Sequence, residues 1–346
     1  MAPCGMKFMK FKSGVFFLIT LIFAISMFGC ANNSNEGTTS SSDKQKITLV
    51  LDYTPNTNHL GLYVAKEKGY FADEGLEVEI VSPPEDGADS LVASGQAQFG
   101  ISFQDWMATY AGSSTPLPVT AIAAILQHNT SSLLSLKSSN ISSPKDLAGK
   151  TYASMDNATE LAILNNLVES DGGNFSSVKT VSNSASNEVQ GLSTNLFNCV
   201  WSYDNWGVLA CKRAGLDIST IRIASLNSTF DYYTPVIIGS NDFMSNNPDI
   251  TRKFLTAVKK GYEYSVANPE DAASILCTAD PSLDEGLVQD SARMLADEFI
   301  ADASSWGIIN EDRWSKFWEW INEQGLTEKP LSTREYFTNE YLLTTD

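Results

Sequence analysis

Four short runs in this chain carry side chains suited to holding a small, flat, polar ring. The first, Asp52-Tyr53-Thr54-Pro55-Asn56-Thr57-Asn58-His59, offers a carboxylate, an aromatic face, amides and an imidazole. The second is Ser102–Trp106, SFQDW, where Gln104 supplies an amide. The third, Met155–Glu160, contributes Asp156, Asn157 and Glu160. The fourth, Trp201–Trp206, brings Trp201, Tyr203, Asp204 and Trp206, and Tyr232 lies further on. Aromatic side chains give rigid stacking area at low entropic cost, and a carboxylate such as Glu160 or Asp204 accepts charge-assisted bonds from an amine edge. Each residue taken alone also reads blandly: Tyr53, Trp201 and Trp206 as core, Asn56 and Asn58 as turn or cap residues, His59 as a surface histidine. An anionic ligand such as a sulfonate or nitrate would want arginine or lysine, and the four runs hold none. No GxSxG elbow, P-loop, HExxH or paired-cysteine metal signal is present, and the chain has only two histidines, His59 and His128.

These runs sit where strands give way to helices. Ile47–Leu51 reads as a buried strand, followed by the polar loop and a helix over Leu60–Lys68, capped by Asn58 and stopped at Gly69. Further strands are expected at Leu76–Val81, Gln98–Ser102, Val119–Leu126, Ser131–Lys137, Thr151–Ser154, Val178–Val181, Phe197–Tyr203 and Val236–Gly239, with helices at Asp86–Ser94, Gln104–Ala111, Thr159–Ser170 and Asn187–Ser193. The alternation predicts mainly parallel sheets with right-handed crossovers. LVASGQAQFGI and LSTNLFNCVW read as one device used twice: a helix end, a left-handed cap (Gly95, then Asn195) and a strand. Ser131–Lys137 and Tyr233–Gly239 read as two crossings between lobes, and from Pro248 onward the chain is helical, with Trp306, Trp314, Trp318 and Trp320 mostly core. A loop leaving the carboxyl end of a strand faces the ligand crevice of such a sheet, so the four runs converge in a cleft between lobes.

The first 29 residues read as a signal segment: Lys7, Lys10 and Lys12 precede the apolar stretch Val15–Phe28, and Gly29-Cys30 resembles a bacterial lipoprotein cleavage site. Cys30 is the expected lipidation site, which would anchor the protein outside the cytoplasm on the cell membrane, with residues 30–45 as a tether. Removing the signal takes three lysines and no acid, moving the net charge from −18 to −21. So acidic a body excludes nucleic acid and anionic lipid as ligands. Cys199, Cys211 and Cys277 remain, with no metal-site spacing; Cys199 and Cys211 read either as a bridge or as two buried thiols.

LDYTPNTNHLGLYVAKEKGYF (Leu51–Phe71) resembles the opening of the thiamine-pyrimidine precursor family, and QFGISFQ, AIAAILQHNTS, DYYTPVII and FTNEYL extend the resemblance from about Ile47 to Leu343. Bacterial members of this family are ABC-transporter binding proteins for pyrimidine precursors of thiamine. The resemblance implies an α/β, two-lobed periplasmic binding protein of type II-like fold, with a ligand cleft between lobes and a helical C-terminal tail. The expected domains are 46–131 plus 236–346 for lobe one and 132–235 for lobe two with the hinge crossings. It further implies an ABC permease and ATPase as partners, a monomer, no cofactor and no catalysis. Glu160 aligns with an acid of the family pattern, and Trp201 and Trp206 with its VW-x-x-x-GW element. The chain departs from the pattern at Tyr53, Met155 and Asp204, where aromatics (tryptophan at the first two) are usual, and at Asp156-Asn157-Ala158, which replace Gly-Ser-Pro. Those changes predict a ligand more cationic or richer in donors than formylaminopyrimidine; riboflavin would use the space left by Met155. The eukaryotic branch instead makes the thiamine pyrimidine from an active-site histidine and pyridoxal phosphate, with iron. His59 stands at a similar position, but DYYTPV (Asp231–Val236) replaces that branch's cysteine-rich run.

Overall fold

The computed structural model describes residues 44–84 and 87–342, so the signal segment, Cys30 and nearly all of the tether lie outside the described residues. Ten strands form two five-stranded sheets. The first, in the order β2-β1-β3-β10-β4, comprises β1 (Gln45–Val50), β2 (Leu76–Val81), β3 (Phe99–Ser102), β4 (Val119–Ala124) and β10 (Val236–Ser240). The second, β7-β6-β8-β5-β9, comprises β5 (Ser131–Leu136), β6 (Thr151–Ser154), β7 (Lys179–Ser182), β8 (Cys199–Tyr203) and β9 (Ile218–Arg222). The chain passes between the sheets over residues 125–130 and returns over 223–235, making β5 and β10 the first strands after each passage. In each sheet four strands run the same way, as the alternation of strands and helices predicts, and one is reversed, so both sheets are mixed. β10 runs antiparallel to β3 and β4, and β5 to β8 and β9, because a strand arriving from the other sheet enters from the opposite end.

Pattern and burial agree strand by strand. In β2, Leu76 and Val78 are buried while Glu77 and Glu79 are exposed, as an edge strand requires. β3 is buried throughout, and a Cβ on its Gly100 would meet Val92 Cγ2 at 2.8 Å. The missing side chain therefore lets the helix Gly87–Ala93 lie close against the sheet. The repeated cap is present in both places, with Gly95 at φ 76° and Asn195 at φ 55°.

The helical tail, Pro248–Ala267, Pro269–Ala279, Glu285–Ala296 and Glu311–Gln324, welds the molecule together. Phe254 stacks on Phe99 at 4.0 Å, Tyr262 on Trp306 at 4.5 Å, and Phe317 on Tyr232 at 4.0 Å. Trp306, Trp314 and Trp318 are fully buried, as expected of core. One apolar cluster contains Val50 and Val236 of the first sheet, Leu133, Tyr152 and Trp201 of the second, and Trp314, Phe317 and Trp318 of the tail. Cys199 and Cys211 are separate buried thiols, each pushed up to about 12 by burial.

Helix Leu60–Glu67, which follows the first run, is held by helix Pro248–Ala267 through a glycine contact. A Cβ on Gly261 would sit 1.9 Å from the carbonyl oxygen of Gly61. Backbone cannot yield as a flexible side chain does, so Gly261→Ala should destabilise the protein by about 3 kcal/mol. Urea denaturation checks this; an unchanged midpoint would show that the two helices separate freely.

Candidate functional site

The first run is locked onto itself. Asn56, not Asn58, caps the short 3₁₀ turn Thr57–His59: its side chain accepts from the Asn58 amide at 2.9 Å, and His59 Nδ1 accepts from the Asn56 amide at 3.3 Å. The cap falls two residues earlier than expected because the polar loop continues as a 3₁₀ turn before the α-helix begins. With Nδ1 accepting, Nε2 carries the proton and donates to Asp52 Oδ1 at 2.6 Å. His59 is wholly buried and both of its ring nitrogens are in use. Asn58 instead reaches the other sheet, its Oδ1 accepting from Asn205 Nδ2 at 3.3 Å. Tyr53 is 64% exposed.

At the end of β3, Gln104 is buried and its amide is spent on backbone. Nε2 donates to the Trp314 carbonyl at 2.8 Å, and Oε1 accepts from the Tyr233 amide at 3.0 Å. That clamp fixes the start of helix Gln104–Ala111 and the direction of the next two side chains, Asp105 and Trp106. Neither was singled out from the sequence, although both lie within SFQDW. Trp106 is 51% exposed, which is unusual for the largest side chain beside a fully buried strand. Asp89 lies alongside and accepts from Ser102 Oγ at 2.7 Å.

The second sheet answers with its own strand ends. Beyond β6, Asp156 adopts a left-handed conformation with φ 59°, and Asn157 caps helix Ala158–Ser170 by accepting from the Thr159 amide at 2.8 Å. Glu160 is buried and engaged at both oxygens: Oε1 accepts from Tyr152 Oη at 2.6 Å, Oε2 from Ser154 Oγ at 3.0 Å and from the Met155 amide at 2.9 Å. Beyond β8 the chain makes a single π turn, Asp204–Val208, a rare element often found at functional sites. Asp204 accepts from Ser132 Oγ at 2.6 Å. Trp201 is buried in the shared core, Trp206 packs against the first sheet's cluster, and Tyr232 lies under Phe317. Tyr203 stays half-buried.

Of the residues expected in the cleft, Asp156 and Asn157 line a pocket of about 490 Å³. Met155, Asp156, Asn157 and Thr159 of the second sheet share it with Asp89, Trp106 and Tyr110 beside the first. The pocket lining contains no lysine or arginine. The neighbouring strand ends are also acidic. Burial pushes the Asp105 carboxyl up to about 7, and the charges of Asp89 and Glu160 add to the shift. Burial also raises Glu160 and Asp89, against the pull of their hydrogen-bond donors. It raises the Tyr203 phenol well above its usual value, with the charges of Asp105, Asp52 and Glu160 contributing. Asp52, Asp105, Glu160 and Tyr203, from four separate strand ends, therefore share one electrostatic neighbourhood. Among the described residues, the only basic side chain paired with any of these acids is His59, on Asp52.

Two sheets joined by two passages, with strand-end loops of both facing one pocket, define the type II periplasmic binding-protein fold. The periplasmic aliphatic sulphonate binding protein SsuA from Escherichia coli superposes with a TM-score of 0.68 at 11% identity, covering 87% of this chain and 94% of that one. The NMT1/THI5-like family model matches residues 56–272, and the chain belongs to that family. The formylaminopyrimidine-binding protein of Halalkalibacterium halodurans is 28% identical over 94% of this chain and 98% of its own length. The 4-amino-5-hydroxymethyl-2-methylpyrimidine phosphate synthase of Legionella pneumophila is 25% identical over 87% of this chain and 94% of its own.

Proposed function

We propose that this protein is an extracytoplasmic solute-binding protein. It closes on an aminopyrimidine precursor of thiamine, such as formylaminopyrimidine or hydroxymethylpyrimidine, and presents it to an ABC permease and its ATPase, while Cys30 carries the lipid anchor. The observation that carries the reading is the pocket between the two sheets, with the open Trp106 face, Met155 and the carboxylates of Asp89 and Asp156 on its walls. A neutral or cationic ring bearing amino groups satisfies such a site, whereas an anion would meet only like charge. The similarity to the formylaminopyrimidine-binding protein supports the same ligand class. The enzymatic alternative would consume His59, and that imidazole is sealed from solvent with both nitrogens bonded. Its geometry favours a structural turn over a reacting group.

A thermal-shift panel tests the proposal with formylaminopyrimidine, hydroxymethylpyrimidine, thiamine, riboflavin, taurine and nitrate. A true ligand at about 100 times its Kd adds roughly 2.7 kcal/mol to the folded state. Stabilisation by a thiamine pyrimidine and not by taurine or nitrate is the expected result. A response confined to riboflavin or to an anion would overturn the ligand class.

A further inference from the structure

Six large apolar side chains stand exposed among the described residues, and two of them, Trp106 and Met155, line the pocket between the sheets. They come from its two sides: Trp106 from helix Gln104–Ala111 after β3, Met155 from the loop after β6. Trp106 is the more unusual. The chain has seven tryptophans, and the other six are buried or half-buried, so only Trp106 keeps its indole open, at 51% exposure. The ring is braced all the same. Phe103 meets it edge-on at 5.9 Å, and the Gln104 clamp fixes the backbone beneath it. Met155 is held likewise, its amide donating to the buried Glu160 Oε2 at 2.9 Å. Leaving an indole uncovered in a cavity of about 490 Å³ forgoes burial that a bound ring would restore. The charged side chains of the same cavity are of one sign. Asp89 stands beside the first sheet and Asp156 beyond the second, and no lysine or arginine joins them in the lining. Asp89 accepts from the Ser102 hydroxyl at 2.7 Å, and the exposed Asp156 carboxylate has no hydrogen-bond or ion-pair partner among the described residues. Two carboxylates without a counter-charge thus share a cavity with an open aromatic face. An indole face attracts a cation, most strongly when the cation is drawn out of water, and a methionine sulfur packs favourably on a ring.

We propose that Trp106 is the specificity-determining residue of the pocket, and that it selects a heteroaromatic cation over a neutral ring of the same shape. This rests on the binding-protein reading above and sharpens its ligand class. The charged ring stacks on the indole, Met155 covers it from the second sheet when the protein closes, and Asp89 and Asp156 supply the counter-charge. A neutral pyrimidine gains the stacking alone. A thiazolium, a pyridinium or a protonated aminopyrimidine gains the stacking and the charge attraction together. The chain's net charge of −18 acts at long range in the same sense. With a desolvated tryptophan face and a carboxylate pulling the same way, the charged member of a shape-matched pair should bind about 30-fold tighter than the neutral one.

Isothermal titration calorimetry on the full chain tests this with probes matched in shape and differing in charge. Thiamine is set against 3-deazathiamine, in which a neutral thiophene replaces the thiazolium, and 1-methylnicotinamide against nicotinamide. Hydroxymethylpyrimidine and formylaminopyrimidine are titrated beside them. The proteins are wild type, Trp106→Leu, Trp106→Phe and Asp156→Asn. Expected in wild type is a charged-to-neutral affinity ratio of about 30 for each pair. Trp106→Leu should bring the ratio to within about 3-fold of unity, Trp106→Phe should keep part of it, and Asp156→Asn should narrow it several-fold. A tryptophan that only shapes the wall would not move that ratio, because a misplaced wall weakens both members of a pair alike. Should Trp106→Leu fail to fold, the wild-type ratio and the phenylalanine and asparagine variants decide. Equal binding of both members of each pair by wild type, or a ratio unchanged in a folded Trp106→Leu, overturns the assignment. Tight binding of hydroxymethylpyrimidine or formylaminopyrimidine alongside that result leaves the thiamine-pyrimidine reading intact. A Trp106-dependent preference for 1-methylnicotinamide, with no binding of any pyrimidine-bearing probe, sustains the assignment and overturns that reading. Binding of no probe overturns both.

Discussion

Replacing Asp105 by asparagine should stabilise the ligand-free protein, by about 1–2 kcal/mol at pH 5 and about 3–4 kcal/mol at pH 8. The sign follows from linkage. The carboxyl titrates near 3.8 when unfolded and about 7 when folded. Between those values the unfolded chain gives up its proton and the folded chain keeps it, so each rise in pH favours unfolding. Above 7 the folded protein holds an ionised carboxylate in a buried setting near Asp89 and Glu160, and the penalty no longer grows. Asparagine has the shape of the protonated acid and carries no such penalty. Urea unfolding of both proteins across this range gives the difference directly. A constant difference, or a destabilised variant at pH 8, would show that Asp105 ionises freely in the native state. Such a cost is common near functional sites, where titratable groups are held in unfavourable states.

Glu160→Ala should act in the opposite direction, destabilising the protein by about 3 kcal/mol. The side chain accepts from Tyr152, Ser154 and the Met155 amide, and truncation leaves those donors without their acceptor in a largely dry site. Burial also raises this carboxyl, so the acid is not itself in a favourable environment. What the protein loses is the acceptor rather than the charge. Glu160→Gln keeps an acceptor, and the hydroxyls of Tyr152 and Ser154 can rotate to meet the new amide, so it should recover more than half of the loss. Thermal or urea unfolding of the pair distinguishes the two effects. A Glu160→Ala protein as stable as wild type, with weakened pyrimidine binding, would instead place Glu160 on the ligand, the role expected of it from the sequence. The geometry favours an organiser that holds the Met155–Thr159 wall in position.

Much of this molecule is written locally in its sequence. Alternating Leu76 and Val78 with Glu77 and Glu79 specifies an edge strand, because a strand's side chains alternate between faces. Gly95 and Asn195 mark left-handed stops, since few other residues adopt that backbone cheaply. The buried tryptophans of the tail follow from its amphipathic pattern. The strand-end runs that would carry the site were likewise legible, because ligand cavities of α/β sheets form where strands give way to loops.

Which side chain in each run is free was decided only by packing over long sequence distances. Gln104 is spent because Trp314 and Tyr233 arrive beside it from far along the chain. The His59 ring closes a turn with Asn56 and Asp52, and the tail helix places Tyr262 so that it donates to the Asn58 carbonyl at 2.8 Å. Sheet polarity depended on the two passages between sheets, which reverse the direction of β5 and β10. The sequence shows an acid in every run; side-chain partners engage Asp52, Glu160 and Asp204, while only backbone amides meet Asp105. Charge and aromatic content were therefore fixed residue by residue, whereas availability for a ligand emerged only when distant segments had taken their partners.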